Sequence, residues 1–340
     1  MKIRNLAAAA AVAALFMIGP AWAAEFTMKI GIDSAPFPED MRHYRDTPIR
    51  EFIKEVNEKS GGRIEAVGFW NGQLGKIENT LKLVSDGLVE AQIGSDGQLA
   101  PYCPQVQVFS IPYLFIDRKV AYEVLDGDFG QNLADSCAKE SGIRPIWLEN
   151  GGYRNFTANK PLNTVEDMKG LKVRTMTIPV HMEIVKALGA TATPIPWADL
   201  YVSLQTGVVD GEENSLSTFR AAKLEEVQKH IILDGHVYGV AVFALSQKWL
   251  DSLPDDLRAV VEEAAVNMMK NNREISVENE QTDREYLESK GVTIVDPPLE
   301  EKAKFQKMSQ GPALELIKGT VDAELLDDLM AAVGEAEAKL

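Results

Sequence analysis

After Pro254 no glycine or proline appears until Gly291, and this stretch limits the folds open to the chain more than any other feature. Ser252 reads as a helix cap, and Asp255 and Asp256 place negative charge in the first turn, where the helix dipole favours it. Leu257, Val260, Val261, Ala264, Ala265, Met268 and Met269 then make one apolar stripe. Asn271-Asn272 interrupts that stripe without supplying a helix stop. A helix of about 38 residues would be about 57 Å long at 1.5 Å per residue, more than one small domain is wide. The expectation is a helix lying across two lobes, its stripe broken where it passes between them. Two helices meeting at a bend near Asn271 are the alternative.

The rest of the chain supplies material for two such lobes. Met28 to Ile32 reads as a strand. Thr47-Pro48 then reads as the cap and first turn of a helix carrying Ile49, Phe52, Ile53 and Val56 on one face. Gly61-Gly62 stops it, Arg63 to Phe69 is a second strand, and a helix with Ile77, Leu81 and Val84 ends near Gly87 before a third strand, Ala91 to Ser95. The alternation resumes with strands at Ile143 to Glu149 and Leu171 to Thr175 and a helix from Pro179 to Leu188. A strand from Thr191 to Pro194, a helix from Trp197 to Gly207 and a strand from Val208 to Glu212 follow. Short strands separated by helices indicate an α/β fold with a mainly parallel sheet in each lobe. A first crossover between the lobes falls near Asn150-Gly151-Gly152.

Where the protein works is written at its start. Lys2 and Arg4 precede an apolar run from Leu6 to Ile18, Gly19-Pro20 breaks it, and Ala21-Trp22-Ala23 is a small-x-small cleavage pattern. This reads as a secretory signal cut after Ala23, since the run is short of the roughly 20 residues needed to span a bilayer. No cysteine stands near the cut, so no lipid anchor is indicated. Removing 23 of 340 residues leaves about 317, enough for two domains, with 45% hydrophobic residues in the whole chain to build cores. Losing two positive charges takes the formal charge from −16 to −18, which disfavours nucleic acid and anionic lipid as partners. Cys103 and Cys137 both remain, as one disulfide or as two buried thiols.

Catalytic groups are sparse. His43, His181, His230 and His236 show no metal-ligand spacing with one another or with cysteine, and each reads as a surface or structural residue. There is no nucleophile elbow, phosphate loop or dinucleotide fingerprint. Glu212 and Glu213 are adjacent, but neighbours on a strand point to opposite faces. No cofactor and no metal is expected. Arginines are more informative. Arg174 closes the apolar strand Leu171-Lys172-Val173-Arg174, and ligands of open α/β sheets bind outside such strand ends. A guanidinium there can grip a carboxylate through two parallel hydrogen bonds. Arg154 stands at the start of the second lobe.

Several separated segments together resemble the DctP-type solute-binding proteins of tripartite ATP-independent periplasmic (TRAP) transporters. They are Arg154-Asn155-Phe156, Leu171-Lys172-Val173-Arg174, Leu200-Tyr201 and Leu204 through Asn214, with Asn71-Gly72-Gln73-Leu74-Gly75 and Ile111-Pro112-Tyr113-Leu114-Phe115 in the first lobe. The resemblance covers the mature chain, long helix included. It implies a two-lobe periplasmic binding protein fold hinged by crossing strands, closing on an organic acid that is delivered to a membrane permease. Lobe I would take 24–151 plus about 240–279, and lobe II 152–239 plus about 280–340. Arg174 would grip the ligand carboxylate, with Arg154 beside it and Asn214 fixing the carboxylate end. Phe37 and Pro36, Trp70, Ser95, Asp96 and Trp197 are further pocket candidates. Trp197 suggests a flat or apolar ligand body. Asp96, if it faces the ligand, would accept hydrogen bonds and repel a second carboxylate, so the lean is toward a monocarboxylate. A monomer is expected. A periplasmic sensor module and, less favoured, a periplasmic hydrolase are the competing functions.

Overall fold

The computed structural model describes residues 24–38 and 41–340. The secretory segment and its cleavage point lie outside the described residues. Nine strands make one continuous sheet: β1 (Phe26–Gly31), β2 (Ile64–Phe69), β3 (Ala91–Ser95), β4 (Ile143–Ala158), β5 (Lys172–Thr175), β6 (Thr191–Pro194), β7 (Gly211–Asn214), β8 (His230–Ser246) and β9 (Thr293–Val295). Their order is β2-β1-β3-β8-β4-β7-β5-β6, and β9 also pairs with β8. Parallel pairs form at the two ends, β1 with β2 and β3, and β5 with β6 and β7. The middle is antiparallel, because β4 and β8 run against each other and against β7 and β3. The sheet is therefore mixed, where a mainly parallel one was expected.

That antiparallel middle joins the lobes. β4 and β8, at 16 and 17 residues, are far longer than the other strands and pass through both halves of the sheet. The glycine pair at 151–152 does not end β4 as the sequence suggests. Gly151 and Gly152 take φ of +73° and +97°, which costs glycine little, and pairing with β8 lapses between Glu149 and Tyr153 before resuming at Tyr153 opposite Tyr238. The pair is a bulge inside a crossing strand.

The long helix is a single element, Asp255–Ser289, of 35 residues. Its cap is Pro254, and Ser252 instead closes the preceding short helix Gln247–Ser252, donating its hydroxyl to the Trp249 carbonyl. Leu257, Val261, Ala264, Ala265 and Met268 pack into a core with Met28, Ile30, Phe52 and Phe243. At the other end Leu287 joins Leu200, Phe219 and Ile231. Between these cores the buried side chains, Ile275 apart, turn polar. Asn272 accepts from the Glu149 backbone N–H at 2.7 Å and donates to the carbonyls of Tyr44 and Glu149 at 3.1 Å. Asn279 accepts from the Tyr44 N–H at 3.1 Å. The break in the apolar stripe is thus where the helix serves backbone groups at the junction of the lobes, with no kink required.

Other boundaries shift modestly. The predicted helix Trp197 to Gly207 is a 3-10 turn, Trp197–Asp199, followed by helix Leu200–Gln205, and the strand expected at Val208 to Glu212 is Gly211–Asn214. Thr47 opens the first helix but does not cap it; Asp46 occupies that position. Cys103 and Cys137 form a disulfide, tying the turn Pro104–Ser110 to helix Asp128–Ser141.

Candidate functional site

The cavity between the lobes opens where strand ends meet. β3 brings Ile93 and Ser95, the crossing of β4 and β8 brings Leu148, Asn150, Arg154 and Ala241, and β5 and β7 bring Arg174 and Asn214. Asp33 enters from the loop after β1, Tyr44 and Arg45 from the loop before helix Thr47–Lys59, and Met268 and Asn272 from the long helix. An outer cleft shares Asp33, Arg45 and Trp197 with this cavity and continues past Asn71, Gly72 and Tyr201.

Arg174 is 2% exposed. Its Nε donates to the Ile195 carbonyl at 2.9 Å, which fixes the plane of the guanidinium. Nη1 is buried with no hydrogen-bond partner among the described residues. Burial lowers the pKa of Arg174, opposed by Glu212 and Glu213 and aided by Arg154. A guanidinium in this condition is held flat, charged and short of an acceptor.

Arg154 is differently placed. Its Nε donates to the Glu213 carboxylate and its Nη2 to the Glu213 carbonyl, so its charge is already matched. Glu213 also contacts His181 Nδ1 at 3.3 Å and His236 Nε2 at 3.4 Å. Against the cost of burial, these partners and above all Arg154 hold its carboxyl well below the usual range. His236 contacts Asp234 through Nδ1 at 2.8 Å. Burial would lower the pKa of His236, but Asp234 and Glu213 on its two nitrogens push it up to about 9. Glu212 points to the other face of β7, where the Asn214 amide donates to it. Burial and the adjacent Glu213 push Glu212 up to about 7. The two glutamates do separate across the strand, but His181 and His236 are buried members of an ion network, and His43 is buried too, against the surface position that the sequence left open.

Among the sequence candidates, Arg174, Arg154, Asn214, Trp197 and Ser95 come together on the cavity wall. Asp96, Phe37 and Trp70 do not. Asp96 begins the short helix Asp96–Leu99, and its carboxylate turns to the Ser110 hydroxyl at 3.4 Å, near His181. Phe37 stacks on His43 at 4.0 Å, and Trp70 lies under the Arg50 guanidinium at 5.2 Å. Turned away, Asp96 does not supply the repulsion of a second carboxylate that the sequence assigned to it. The sequence reading missed Asp33, Arg45, Tyr44 and Met176. Asp33 follows the carboxyl end of β1, the same positional rule that picks out Arg174, so a signal for it existed. Arg45 sits in a loop with no local signal.

A two-lobe α/β fold with a carboxylate-competent guanidinium in the cleft defines a ligand-capturing protein of the periplasmic binding class. Residues 41–317 match the DctP family, bacterial extracellular solute-binding protein family 7, and the chain belongs to that family. A solute-binding protein from Verminephrobacter eiseniae is 34% identical over 274 residues, 81% of this chain and 80% of that one. The sugar acid binding protein of Advenella mimigardefordensis, solved with galactonate, superposes with a TM-score of 0.85 at 31% identity, covering 91% of this chain and 98% of that one. A TRAP periplasmic solute-binding protein from Desulfovibrio salexigens, solved with orotic acid, gives 0.84 at 27% identity, covering 92% and 99%.

Proposed function

We propose that this protein works in the periplasm, capturing a small organic monocarboxylate and delivering it to the permease of a TRAP-type transporter without turning it over. The buried, unpartnered Nη1 of Arg174 carries the reading. With Nε committed to Ile195, the terminal Nη1/Nη2 edge is the fork left for a carboxylate. Asn214 spends one amide N–H on Glu212 and has a second to offer the same carboxylate. Arg154 has its own carboxylate partner, and Glu212, pushed up to about 7, compensates Arg174 only in part. Arg174 is the guanidinium whose terminal edge has no hydrogen-bond partner among the described residues, and that edge suits one carboxylate. Ile77, Ile93, Leu148, Met176, Met268 and Trp197 supply an apolar wall for the ligand body. The relatives that hold galactonate and orotic acid differ in that body and share the carboxylate.

A thermal-shift screen of organic acids finds the ligand, since saturation at 100 times Kd adds about 2.7 kcal/mol of stability. Calorimetry on Arg174→Ala with that acid then tests the grip. The expected loss is about 2–5 kcal/mol, or roughly 30- to several-thousand-fold, because truncation strands a buried charge. Arg174→Lys should also bind poorly, keeping the charge but losing the fork. A loss under about threefold in Arg174→Ala overturns the assignment.

A further inference from the structure

Beside Arg174 and Arg154 the cavity holds a third guanidinium, that of Arg45, which comes from the opposite lobe to Arg174. Its Nε donates to the Tyr44 hydroxyl at 3.0 Å and its Nη2 to the Asn150 side-chain oxygen at 3.3 Å. Both acceptors are neutral, neither bond uses Nη1, and among the described residues no carboxylate lies within ion-pair distance of Arg45. Its guanidinium carbon lies 5.5 Å from the centre of the Trp197 ring, and that of Arg174 lies 6.0 Å from the same ring. The two cations are therefore within reach of one small molecule whose carboxylate is on Arg174. Asp33 lines the same inner cavity and the same outer cleft as Arg45. It is half-buried and makes no hydrogen bond or ion pair with any described residue. Its charge acts on Arg45, whose pKa is lowered by burial but raised more by Tyr44 and Asp33.

We infer that Asp33 and Arg45 together read the far end of the ligand and select a group that both donates and accepts a hydrogen bond, such as a hydroxyl. This rests on the carboxylate grip at Arg174. Arg45 alone would attract a second carboxylate, and Asp33 alone would repel it; as a pair they are neutral overall. A hydroxyl satisfies both, donating a hydrogen bond to the Asp33 carboxylate and accepting one from Arg45. An alkyl or aryl C–H at that place satisfies neither, and polar groups left unmet in a binding site are what reject an analogue lacking the hydroxyl. A second carboxylate gains Arg45 but faces Asp33.

Two matched sets of acids test the pair by calorimetry: hexanoate, 6-hydroxyhexanoate and adipate, and benzoate, 4-hydroxybenzoate and terephthalate. The hydroxy acid of at least one set should bind the unmodified protein about tenfold or more tighter than its unsubstituted parent. Arg45→Met should shrink that preference below about threefold while affinity for the parent acid persists. Asp33→Asn, nearly the same shape, should gain at least about threefold for the diacid, a change in sign that no loss of packing would produce. No binding of either hydroxy acid, a first preference for a parent acid or a diacid, or an equal loss of all three members of a set in the variants overturns the inference. Arg174→Ala run on the same acids separates the two failures: unchanged binding there removes the carboxylate grip itself, whereas a large loss there with indifferent Asp33 and Arg45 variants removes only the far-end pair.

Discussion

His236 is one residue whose charge state ties the site to pH. Its folded pKa of about 9 lies above the roughly 6.5 of an unfolded chain, so its stabilisation is complete below 6.5 and is lost as pH rises toward 9. The size is on the order of 3 kcal/mol. Glu212 acts with the same sign at lower pH: its folded value of about 7 exceeds that of an exposed glutamate, so ionising it costs stability as pH rises toward 7. Glu213, held well below its usual value, acts oppositely, and its contribution is lost only as pH falls through that low folded pKa. The ligand-free protein should therefore melt higher at pH 5.5 than at pH 8.5, and His236→Gln should flatten the part of that slope above pH 6.5. A melting temperature that climbs toward pH 8.5, or an unchanged slope in the variant, contradicts this network. None of it was legible in the chain: His181, Glu213 and His236 are far apart in sequence and share no motif spacing. The place of Arg174 on the cavity wall was legible, because a strand end is a local feature, whereas its carboxylate role came from the family resemblance.

Among the elements, the long helix is the one whose sequence and structure agree for a physical reason visible in both. Its stripe breaks at Asn271-Asn272, and Asn272 spends its side chain on three backbone groups from two separate segments. Asn272→Ala leaves the Glu149 N–H and two carbonyls unmet in a buried place, and each such group costs about 1–3 kcal/mol. Urea unfolding should show a loss of about 2–4 kcal/mol, with the larger sum relieved where water enters. A change below about 0.5 kcal/mol, the size of an ordinary surface substitution, means that the asparagine is incidental to the junction. β1, β2, β3, β5 and β6 were readable within a residue or two because each is a short segment bounded by a turn or helix signal. β4 was read only as its first half, since glycines mark strand ends and bulges alike. Helices Arg118–Asp126, Leu299–Lys318 and Ala323–Glu337 were not read at all; the second carries Pro312 within it, which argues against a helix from sequence alone.

At the scale of the molecule, capture requires the lobes to hold a closed arrangement, and the contacts across the cleft differ greatly in worth. Lys76 and Asp199 face each other over the mouth at 3.7 Å, but both are more than half exposed, and such pairs contribute little. The apposition that matters is deeper, at Gly151, where the loop carrying Tyr44 and the segment carrying Ser215 and Ser217 close on β4. A Cβ there would lie 2.8 Å from Ser215 Oγ and 3.0 Å from both the Tyr44 ring and Ser217 Cβ, on a backbone already at φ +73°. Gly170 has the same handedness, φ +78°, with nothing within 4 Å of a Cβ. Comparing the two alanine variants separates backbone strain from wedging. Gly170→Ala should cost about 1 kcal/mol of stability and leave affinity for the captured acid unchanged. Gly151→Ala should cost a further 1–3 kcal/mol from overpacking and weaken that affinity about tenfold or more, because the wedge sits where both lobes converge. Calorimetry and thermal melts on the pair decide it: equal affinities in the two variants would mean that Gly151 is needed for its backbone angle alone and that the lobes close without passing through it.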